Sequence, residues 1–419
     1  MKRISIVIGS MWGDEAKGHM TDILCNLKDD TASSNTIVVR FNGGSQASHT
    51  VVTKSGKRHA FRHLCSGTFS GAKTYLSKFF IVNTVSFVLE RKELIETFDI
   101  NPCVFVNPDC IVTTFWDIYI NQAVETLREG KRHGSCGFGI NETVERSNIP
   151  KYKITVMDLL SKERLRCKLL AIQNEYVPKR LKNEYNLEIK DLPKKYRELL
   201  TDSENIEMFL FYAEEFISNI QIHTDQILNR FDNVVFEGAQ GLLLDQNNEK
   251  YFPHVTSSNT GIKNVMDILQ KLNFRGRVDI YYMSRCYITR HGAGPLKNEL
   301  ESKPYSRIED LTNVPNEFQG SLRFGYLDFD LLIEEIKKDL ENLTQEANVN
   351  ITFTCLDQLD EYVKYYYNSK LKIEKSNNFL KIAWKILCKA NIEGFCNIYG
   401  TYGPTRDCIT SYNENSDLI

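Results

Sequence analysis

The fold of this chain is decided near its start by "KRISIVIGSMWGDEAKGHMTDILCNL", residues 2–27. The run from Lys2 to Gly9 is apolar and rich in isoleucine and valine, as in a buried strand. A turn from Ser10 to His19 follows, and apolar residues from Met20 onward recur at the spacing of one helix face. A strand, a turn and a helix in this order form a helix N-terminus whose backbone N–H groups can hold phosphate.

The turn differs from the common phosphate loop. That loop needs Gly, four residues and then Gly-Lys-Ser/Thr, and counting from Gly9 the second glycine falls on Asp14. Lys17 is placed like the lysine of a phosphate loop and would offset the charge of a terminal phosphate. Asp14 suits either a Mg²⁺ ligand or a general base. The plain alternative is an ordinary turn in which Asp14 and Glu15 are acids at a helix start.

Composition narrows the class of protein. A length of 419 residues allows one large domain or two ordinary ones. The net charge of −2 offers no basic field for nucleic acid, and no apolar run approaches the length that spans a bilayer. The 11 cysteines include no Cys-x-x-Cys pair, so a zinc or iron–sulfur site is not expected. Unpatterned cysteines and the lack of a secretory pattern predict a cytoplasmic protein.

Apolar, β-rich runs recur along the chain and predict an α/β fold, a large, mostly parallel sheet flanked by helices. From about residue 151 to 227 the chain is instead rich in Lys, Glu and Leu, which predicts a mostly helical insertion within a single domain of residues 1–419. The predicted strands are Ile4–Gly9, Thr36–Phe41, Phe79–Asn83, Cys103–Asn107, Asn233–Gly238, Val278–Met283, Ile351–Asp357 and Phe395–Gly400.

Two more turns follow predicted strands and carry side chains with chemistry. "RFNGGSQASHT" should emerge at the same sheet edge as the first turn, and its His49 suits an acid at neutral pH. In "FEGAQGLLLD", the carboxamide of Gln240 can donate a hydrogen bond to a carbonyl or a developing oxyanion. The plain alternatives are a structural histidine and a hairpin-like turn.

Four later stretches complete the pattern. "YFPHVTSSNTG" offers hydroxyls, Thr256 among them, to a phosphate or to a helix cap, and "TRHGAGPL" reads as a turn. In "FTCLDQLD", Asp357 ends a strand, where a carboxylate can accept hydrogen bonds from N1–H and the 2-amino group of guanine. In "YGTYGPTRD", glycine backbone around Gly403 can wrap a flat base.

Together and in this order, these stretches resemble the adenylosuccinate synthetase family. The family's Gln-Trp-Gly-Asp-Glu-Gly-Lys-Gly-Lys appears here as "MWGDEAKGH", and its Gly-Gly-His-Asn-Ala-Gly-His-Thr appears as "GGSQASHT". "FEGAQG", "VTSSNT", "GAGP", "NEF", "LDQLD" and a "GP" before an arginine also match in order, so the resemblance runs from residue 1 to about residue 410.

The resemblance implies a homodimeric GTP- and Mg²⁺-dependent ligase of purine biosynthesis with a phosphate-loop-like GTP site. Such a ligase joins L-aspartate to C6 of IMP through a 6-phosphoryl intermediate and yields adenylosuccinate, the precursor of AMP. The phosphoryl group turns the poor 6-oxo leaving group into a good one. Its partners would be a purine monophosphate, GTP and an amino acid, with no nucleic acid and no membrane.

The resemblance also implies roles for single residues. Asp14 matches the base that takes the N1 proton and is also a Mg²⁺ ligand, with the Ser48 carbonyl as a second metal ligand. His49 matches the acid that stabilises the transferring phosphoryl group, and Gln240 matches the amide that contacts O6. The implied GTP-binding residues are Gly13, Glu15, Ala16, Lys17, Gly18, His49, Thr50, Asp357 and Gly403, and those for the nucleotide substrate are Gln46, Ser135, Cys136, Gln240 and Thr256.

Several positions depart from the family pattern. Ala16 and His19 replace Gly and Lys in the first turn, and Gln46 replaces Asn. Cys136 stands where a Thr is expected, and Phe138 where an Arg is expected. The arginine that family members receive from the partner subunit has no clear match, and Arg146 is the nearest stand-in.

The largest departure is the stretch 319–325, "QGSLRFG", where the family has an arginine-rich loop for the aspartate carboxylates. Arg323 is the single arginine left to bind the amino acid, which puts the amino donor in question. The alternatives are the same chemistry with another amine or on dGMP or GMP, as in phage diaminopurine synthesis, and a catalytically silent guanine-nucleotide-binding protein. Retention of Asp14, His49 and Gln240 favours an enzyme, and Asp14 favours IMP.

Overall fold

The computed structural model describes residues 2–26, 35–128, 134–309 and 320–413. The helices of these ranges are α1 (Lys17–Cys25), α2 (Thr84–Phe98), α3 (Phe115–Leu127), α4 (Ile140–Ser147), α5 (Lys162–Ala171), α6 (Val177–Tyr185), α7 (Lys194–Thr201), α8 (Glu204–Ser218), α9 (Lys263–Lys271), α10 (Phe329–Leu340) and α11 (Phe379–Lys389). The strands are β1 (Arg3–Gly9), β2 (Thr36–Arg40), β3 (His49–Val52), β4 (Arg58–Phe61), β5 (Lys73–Leu76), β6 (Val104–Val106), β7 (Gln221–Ile222), β8 (Asn233–Glu237), β9 (Val278–Arg285), β10 (Tyr287–Arg290), β11 (Glu299–Leu300), β12 (Arg323–Asp328), β13 (Ala347–Thr354), β14 (Tyr362–Tyr367), β15 (Lys370–Lys375), β16 (Phe395–Thr401) and β17 (Ile409–Tyr412).

A ten-stranded central sheet organises the molecule, in the order β17-β16-β13-β9-β1-β8-β2-β5-β6-β7. Neighbours are parallel throughout, except that the edge strand β17 runs antiparallel to β16. This arrangement confirms the predicted α/β fold with a mostly parallel sheet. Because parallel strands end at one edge, the turns after β1, β2, β8, β13 and β16 all open on the same side of the molecule.

One predicted strand is wrong. Residues 79–83 form only isolated bridges, between Gly44 and Ile81 and between Val82 and Val112. The sheet uses the preceding run, β5, instead. Phe80 and Val82 are nevertheless fully buried, because they pack in a hydrophobic core with Phe87 and Trp116. The apolar run therefore indicated burial correctly but not strand pairing.

Helices cover both faces of the sheet, as continuous apolar strands require. One core joins α9, α10 and α11 to strand residues such as Phe236 and Phe353. A second core joins α2, α3 and α5–α8, with Trp116 and Phe209 fully buried. A third and smaller core lies between α1 and the sheet around Met20.

The stretch 151–227 contains α5–α8 and the two-residue strand β7. These helices pack on the rest of the molecule, since α8 contacts α2, and α6 and α7 contact α3. A smaller sheet, β10-β12-β14-β15 with β11 beside β12, and the hairpin β3-β4 complete the described fold. No helix in the described ranges is both long and apolar enough to cross a bilayer.

Candidate active site

A cleft of about 870 Å³ opens at the carboxyl edge of the central sheet. It is lined by residues far apart in the chain, from Trp12 to Pro404. The predicted site residues that line it are Gly13, Asp14, Ala16, Lys17, Gly18, Gln46, Ser48, His49, Thr50, Ser135, Cys136, Gln240, Thr256, Asp357 and Gly403.

Glu15 does not line the cleft but lies beneath the first turn. Its carboxylate accepts a hydrogen bond from Gly13 N at 2.8 Å and lies 3.8 Å from Lys17 Nζ. Burial raises the pKa of Glu15 and lowers the pKa of Lys17, and the charge of each partly offsets the shift of the other. Glu15 therefore shapes the turn and holds the lysine rather than facing a ligand.

Arg323 also lies outside the cleft wall. Its guanidinium forms a bidentate ion pair with Glu299, with Nε 2.7 Å from Oε1. Its Nη1 donates to the carbonyls of Gly292 and Gly294 at 3.0 and 2.8 Å. Arg323 thus holds the turn of residues 291–294 in place from the side away from the cleft. His291 and Ala293 of this turn line the cleft. Residues 310–319, which include the predicted "NEF" and Gln319, lie outside the described residues.

The first turn is a tight loop that leads into α1. Gly13 has φ 108° and Ala16 has φ 61°, and Lys17 Nζ donates to Gly13 O at 2.6 Å. A Cβ at Gly18 would lie 2.7 Å from His49 Cβ and 2.8 Å from Ser66 Oγ. Glycine therefore lets the helix start pack directly against β3, and this contact brings the first turn and His49 together.

His49 forms a buried pair with Glu237, the last residue of β8. Its Nδ1 lies 2.7 Å from Glu237 Oε1, and Glu237 also accepts hydrogen bonds from the Ser66 N–H and hydroxyl. Burial lowers the pKa of His49 to about 4, although Glu237 opposes the shift. Burial alone would raise the pKa of Glu237, but His49, Arg40 and Ser66 lower it to about 2.

The ionised Glu237 therefore fixes the orientation of the His49 ring, with Nδ1–H as the donor. Because His49 lines the cleft, Nε2 is the ring nitrogen left for a ligand. Second partners of this kind set which nitrogen of a histidine acts. The bound anions of a substrate complex would raise the pKa of His49 from its value in the free protein.

Asp14 and Gln240 border the cleft from adjoining turns. A Cβ at Gly13 would lie only 3.0 Å from Gln240 Cα, so the two turns touch. The backbone of Gln240 is left-handed, with φ 63°, a strained conformation that is typical of functional positions. Arg285 Nε donates to the Asp14 carbonyl, and His291 Nε2 lies 3.7 Å from Asp14 Oδ2.

The part of the cleft wall around Gln46 combines a side-chain amide that has no hydrogen-bond partner among the described residues with two hydrogen-bonded serines. Both polar atoms of the Gln46 carboxamide are buried without a partner among the described residues. Ser135 Oγ donates to Asn121 Oδ1 at 2.9 Å, and Ser257 Oγ donates to Asn141 Oδ1 at 2.6 Å. Because buried amides in proteins are normally hydrogen-bonded, the Gln46 amide is suited to a polar ligand.

Asp357 and Gly403 border another part of the cleft. Asp357 lies two residues after Cys355, whose φ is 63°. Burial raises the pKa of Asp357. The loop after β16 is tied to α1, because His19 Nε2 contacts Thr405 O at 2.9 Å and Arg406 Nη2 donates to Asp22 Oδ1 at 3.0 Å. His19, which replaces a lysine of the family motif, thus joins two walls of the cleft.

Three residues at or beside the cleft were missed by the sequence analysis. Glu237 lay inside a quoted motif, and only its contact with His49 shows its role. Arg62 and Arg285 line the cleft but belong to no motif.

The charge balance of the cleft favours anionic ligands. Six cationic side chains line the cleft and only three acidic ones do, a balance that suits polyanions. They are Lys17, Arg58, Arg62, Arg285, Arg290 and Arg307 against Asp14, Glu309 and Asp357.

Arg146 does not suit the role of an arginine that reaches a partner subunit. Its side chain is fully buried. It forms an ion pair with Asp117, with Nε 2.9 Å from Oδ1, and donates to the carbonyls of Tyr152 and Val112. A side chain that is fully buried and paired in this way does not extend from the surface, so the structure does not support the stand-in suggested by the sequence.

Comparisons with known proteins agree on one family. The sequence profile of the adenylosuccinate synthetase family matches residues 6–376. Adenylosuccinate synthetase of Thermoplasma volcanium is 27% identical over 338 residues, 80% of this chain and 73% of that protein. The enzyme of Francisella philomiragia is 28% identical over 373 residues, 87% of this chain and 81% of that protein.

Two solved structures share the fold. A fully ligated adenylosuccinate synthetase from Plasmodium falciparum superposes with a TM-score of 0.72 at 18% identity, covering 98% of this chain and 100% of that chain. The succinoaminodeoxyadenylate synthetase of cyanophage S-2L, bound to dGMP and to dATP as an energy donor, has a TM-score of 0.61 at 11% identity. That match covers 100% of this chain and 97% of the phage chain.

Proposed function

The chain belongs to the adenylosuccinate synthetase family, and we propose that it joins the amino group of L-aspartate to C6 of IMP with cleavage of GTP. It is a ligase that forms a carbon–nitrogen bond. The proposal rests on one observation above all. Asp14, His49 and Gln240 come from three separate segments of the chain and line a single cleft. Simple nucleotide binding requires none of these three side chains.

The chemistry needs a base, a donor at O6 and a group at the transferred phosphoryl. In the first step, Asp14 takes the N1 proton of IMP, O6 attacks the γ-phosphorus, and the bond to the bridging oxygen breaks to release GDP. In the second step, the amino group of aspartate attacks C6, the C6–O6 bond breaks, and phosphate leaves as the new amine loses a proton. Gln240 donates to O6, and His49 contacts the phosphoryl group through Nε2.

The cleft suits Mg²⁺ through oxygen donors. Within the described ranges, no group of three His, Cys, Asp or Glu side chains is arranged to hold a metal. Mg²⁺ that is bound mainly by phosphates needs only one or two protein oxygens. The Asp14 carboxylate and the Ser48 carbonyl would hold the ion, which when bound neutralises charge on the phosphate oxygens.

The amino donor has a second candidate. Arg323, the one arginine that remains of the expected carboxylate-binding loop, is neutralised by Glu299 and lies behind the cleft wall. This contact favours an amine other than aspartate as the alternative. The nucleotide alternative is dGMP or GMP, since the phage enzyme with this fold is bound to dGMP.

We also propose that the enzyme is a cytoplasmic homodimer that uses GTP. All 11 cysteines are free thiols, which fits a reducing compartment. Asp357, in the position that would contact the guanine base, supports GTP as the phosphoryl donor.

The decisive experiment measures phosphate release with GTP and Mg²⁺ over IMP, dIMP, GMP and dGMP, each with aspartate, with another amino acid, and with no amine. We expect turnover only when IMP and aspartate are both present. ATP in place of GTP, with the same substrates, is the control for the donor. Turnover with another nucleotide or another amine would replace the proposed substrate, and no turnover in a protein that binds GTP would favour a binding protein.

A further inference from the structure

Arg62 is a cleft cation to which the proposed reaction assigns no role. It follows β4, lines the cleft and is half-buried. Its guanidinium donates one hydrogen bond, from Nη1 to Ser45 O at 3.1 Å, and among the described residues it pairs with no carboxylate. By contrast, Arg285 and Arg290 are tied to carbonyls of their own surroundings.

Two contacts hold Arg62 in one orientation. Its guanidinium carbon lies 5.6 Å from the centre of the Phe138 ring, within the range of a cation–π contact. Its backbone N–H donates to Glu90 Oε1 at 2.8 Å, so α2 fixes the start of the loop. A planar guanidinium held on a ring and by one carbonyl keeps its remaining N–H groups in a fixed fork.

The neighbours of Arg62 indicate which ligand it meets. Ser45, which accepts its hydrogen bond, precedes the unpartnered amide of Gln46. Phe138, which it stacks on, follows Ser135 and Cys136, which line the same cleft. These are the residues proposed for the nucleotide substrate rather than for GTP. A guanidinium fork beside hydroxyl and amide groups matches the geometry of a phosphate group.

We propose that Arg62 binds the 5′-phosphate of the purine monophosphate substrate, with Phe138 as its support. The proposal rests on the proposed function only for the identity of that nucleotide. It assigns a binding role to the loop after β4, whose sequence carries no motif. A charge-assisted contact of this kind predicts a loss of about 10- to 100-fold in affinity when the charge is removed.

The test compares each monophosphate with its nucleoside by calorimetry. We expect Arg62→Gln to weaken IMP binding by about 10- to 100-fold and to leave inosine and GTP binding unchanged. Arg62→Lys should keep part of the preference for IMP over inosine, since the charge remains without the fork. Lys57→Gln removes an exposed charge from the same hairpin and should change none of these affinities.

Each other outcome is informative. Equal weakening of IMP and inosine would mean a structural role and overturn the proposal, as would unchanged IMP affinity in a variant with wild-type thermal stability. A loss confined to GTP would overturn the assigned nucleotide. Wild-type protein that binds GMP or dGMP instead of IMP, with a phosphate preference that Arg62→Gln removes, would support Arg62 and overturn IMP as substrate. Wild-type protein that binds no purine monophosphate would overturn both.

Discussion

A single carboxylate at the start of α1 should decide whether the cleft catalyses a reaction. Asp14→Ala removes the proposed base for the N1 proton while leaving the backbone of the phosphate loop. We expect turnover to fall by about 10²- to 10⁴-fold or more, with GTP binding still measurable. Steady-state phosphate release and GTP titration provide the two readouts, and Asp109→Ala, at an exposed turn, is the control. Normal turnover in Asp14→Ala would mean that another group is the base.

A second buried carboxylate, Glu90, should make stability depend on pH. It accepts hydrogen bonds from the backbone of Arg62 and His63, each at 2.8 Å. Burial alone would raise the pKa of Glu90, but His59 and His63 lower it from 4.5 to about 2. The resulting stabilisation is present above pH 4.5 and is lost as the pH falls through about 2.

Glu90→Gln should therefore lower the free energy of unfolding by about 3 kcal/mol at neutral pH. The difference from wild type should shrink as the pH falls below 4.5. Urea unfolding at several pH values measures it. Glu93→Gln, 3.4 Å from His59 Nδ1 but 59% exposed, should cost much less at every pH. A Glu90 effect that does not change with pH would mean that packing, not charge, stabilises this loop.

Residues in motifs were predictable from the sequence, and residues that act through space were not. Asp14, Lys17, His49 and Gln240 lie in turns whose composition departs from ordinary loops. In the sequence, nothing distinguishes Glu237 from another residue at the end of a strand. Its role becomes visible only in the structure, where it contacts His49, a residue far from it in sequence. The same holds for Arg62, because only its contact with Phe138 in the structure distinguishes it from other arginines.

At the scale of elements, the contact between α1 and β3 is the most constrained. Gly18→Ala would bring a methyl group to 2.7 Å from His49 Cβ, so the helix start and β3 must separate. We expect stability to fall by about 1–3 kcal/mol, and turnover to fall further because His49 moves relative to the phosphate loop. Thermal unfolding and kcat measure the two effects. Unchanged kcat with lowered stability would show that His49 tolerates the displacement.

The longer parallel strands of the central sheet were predictable, as was the three-residue β6, whereas two other short strands were not. β1, β2, β8 and β9 could be predicted from their largely apolar runs, because both of their faces are covered. β7 has two residues and β5 has four, so neither carries a pattern that differs from buried loop. Residues 79–83 have the apolar pattern but form only isolated bridges, because Phe80 and Val82 pack in the second core rather than in the sheet.

At the scale of the whole molecule, the two largest cores share strands. In β5, Tyr75 points into the first core and Leu76 into the second. In β6, Phe105 points into the first core, whereas its neighbours Val104 and Val106 point into the second. Loss of one core therefore exposes one face of strands that the other core needs.

We accordingly propose that the chain unfolds as a single domain. Phe209→Ala in the second core should cost about 3–5 kcal/mol and shift the transition of both cores equally. Trp12 lies in the first core and Trp116 in the second. Variants that keep one of these residues as the only tryptophan report each core separately through tryptophan fluorescence. Two transitions at different denaturant concentrations would indicate that the helical stretch is an independent folding unit.

The strand order also affects how the chain must be made. β1 is synthesised first, yet its neighbours in the sheet are β8 and β9, and β8 fills the space between β1 and β2. At ~5–20 residues per second, β8 leaves the ribosome on the order of 10–50 s after β1. During that interval the nascent chain carries two apolar strands with an empty position between them, open to pairing with the wrong strand. Protection of the nascent chain by a chaperone would matter most during this interval, and full-length chains diluted from denaturant pass through no such interval.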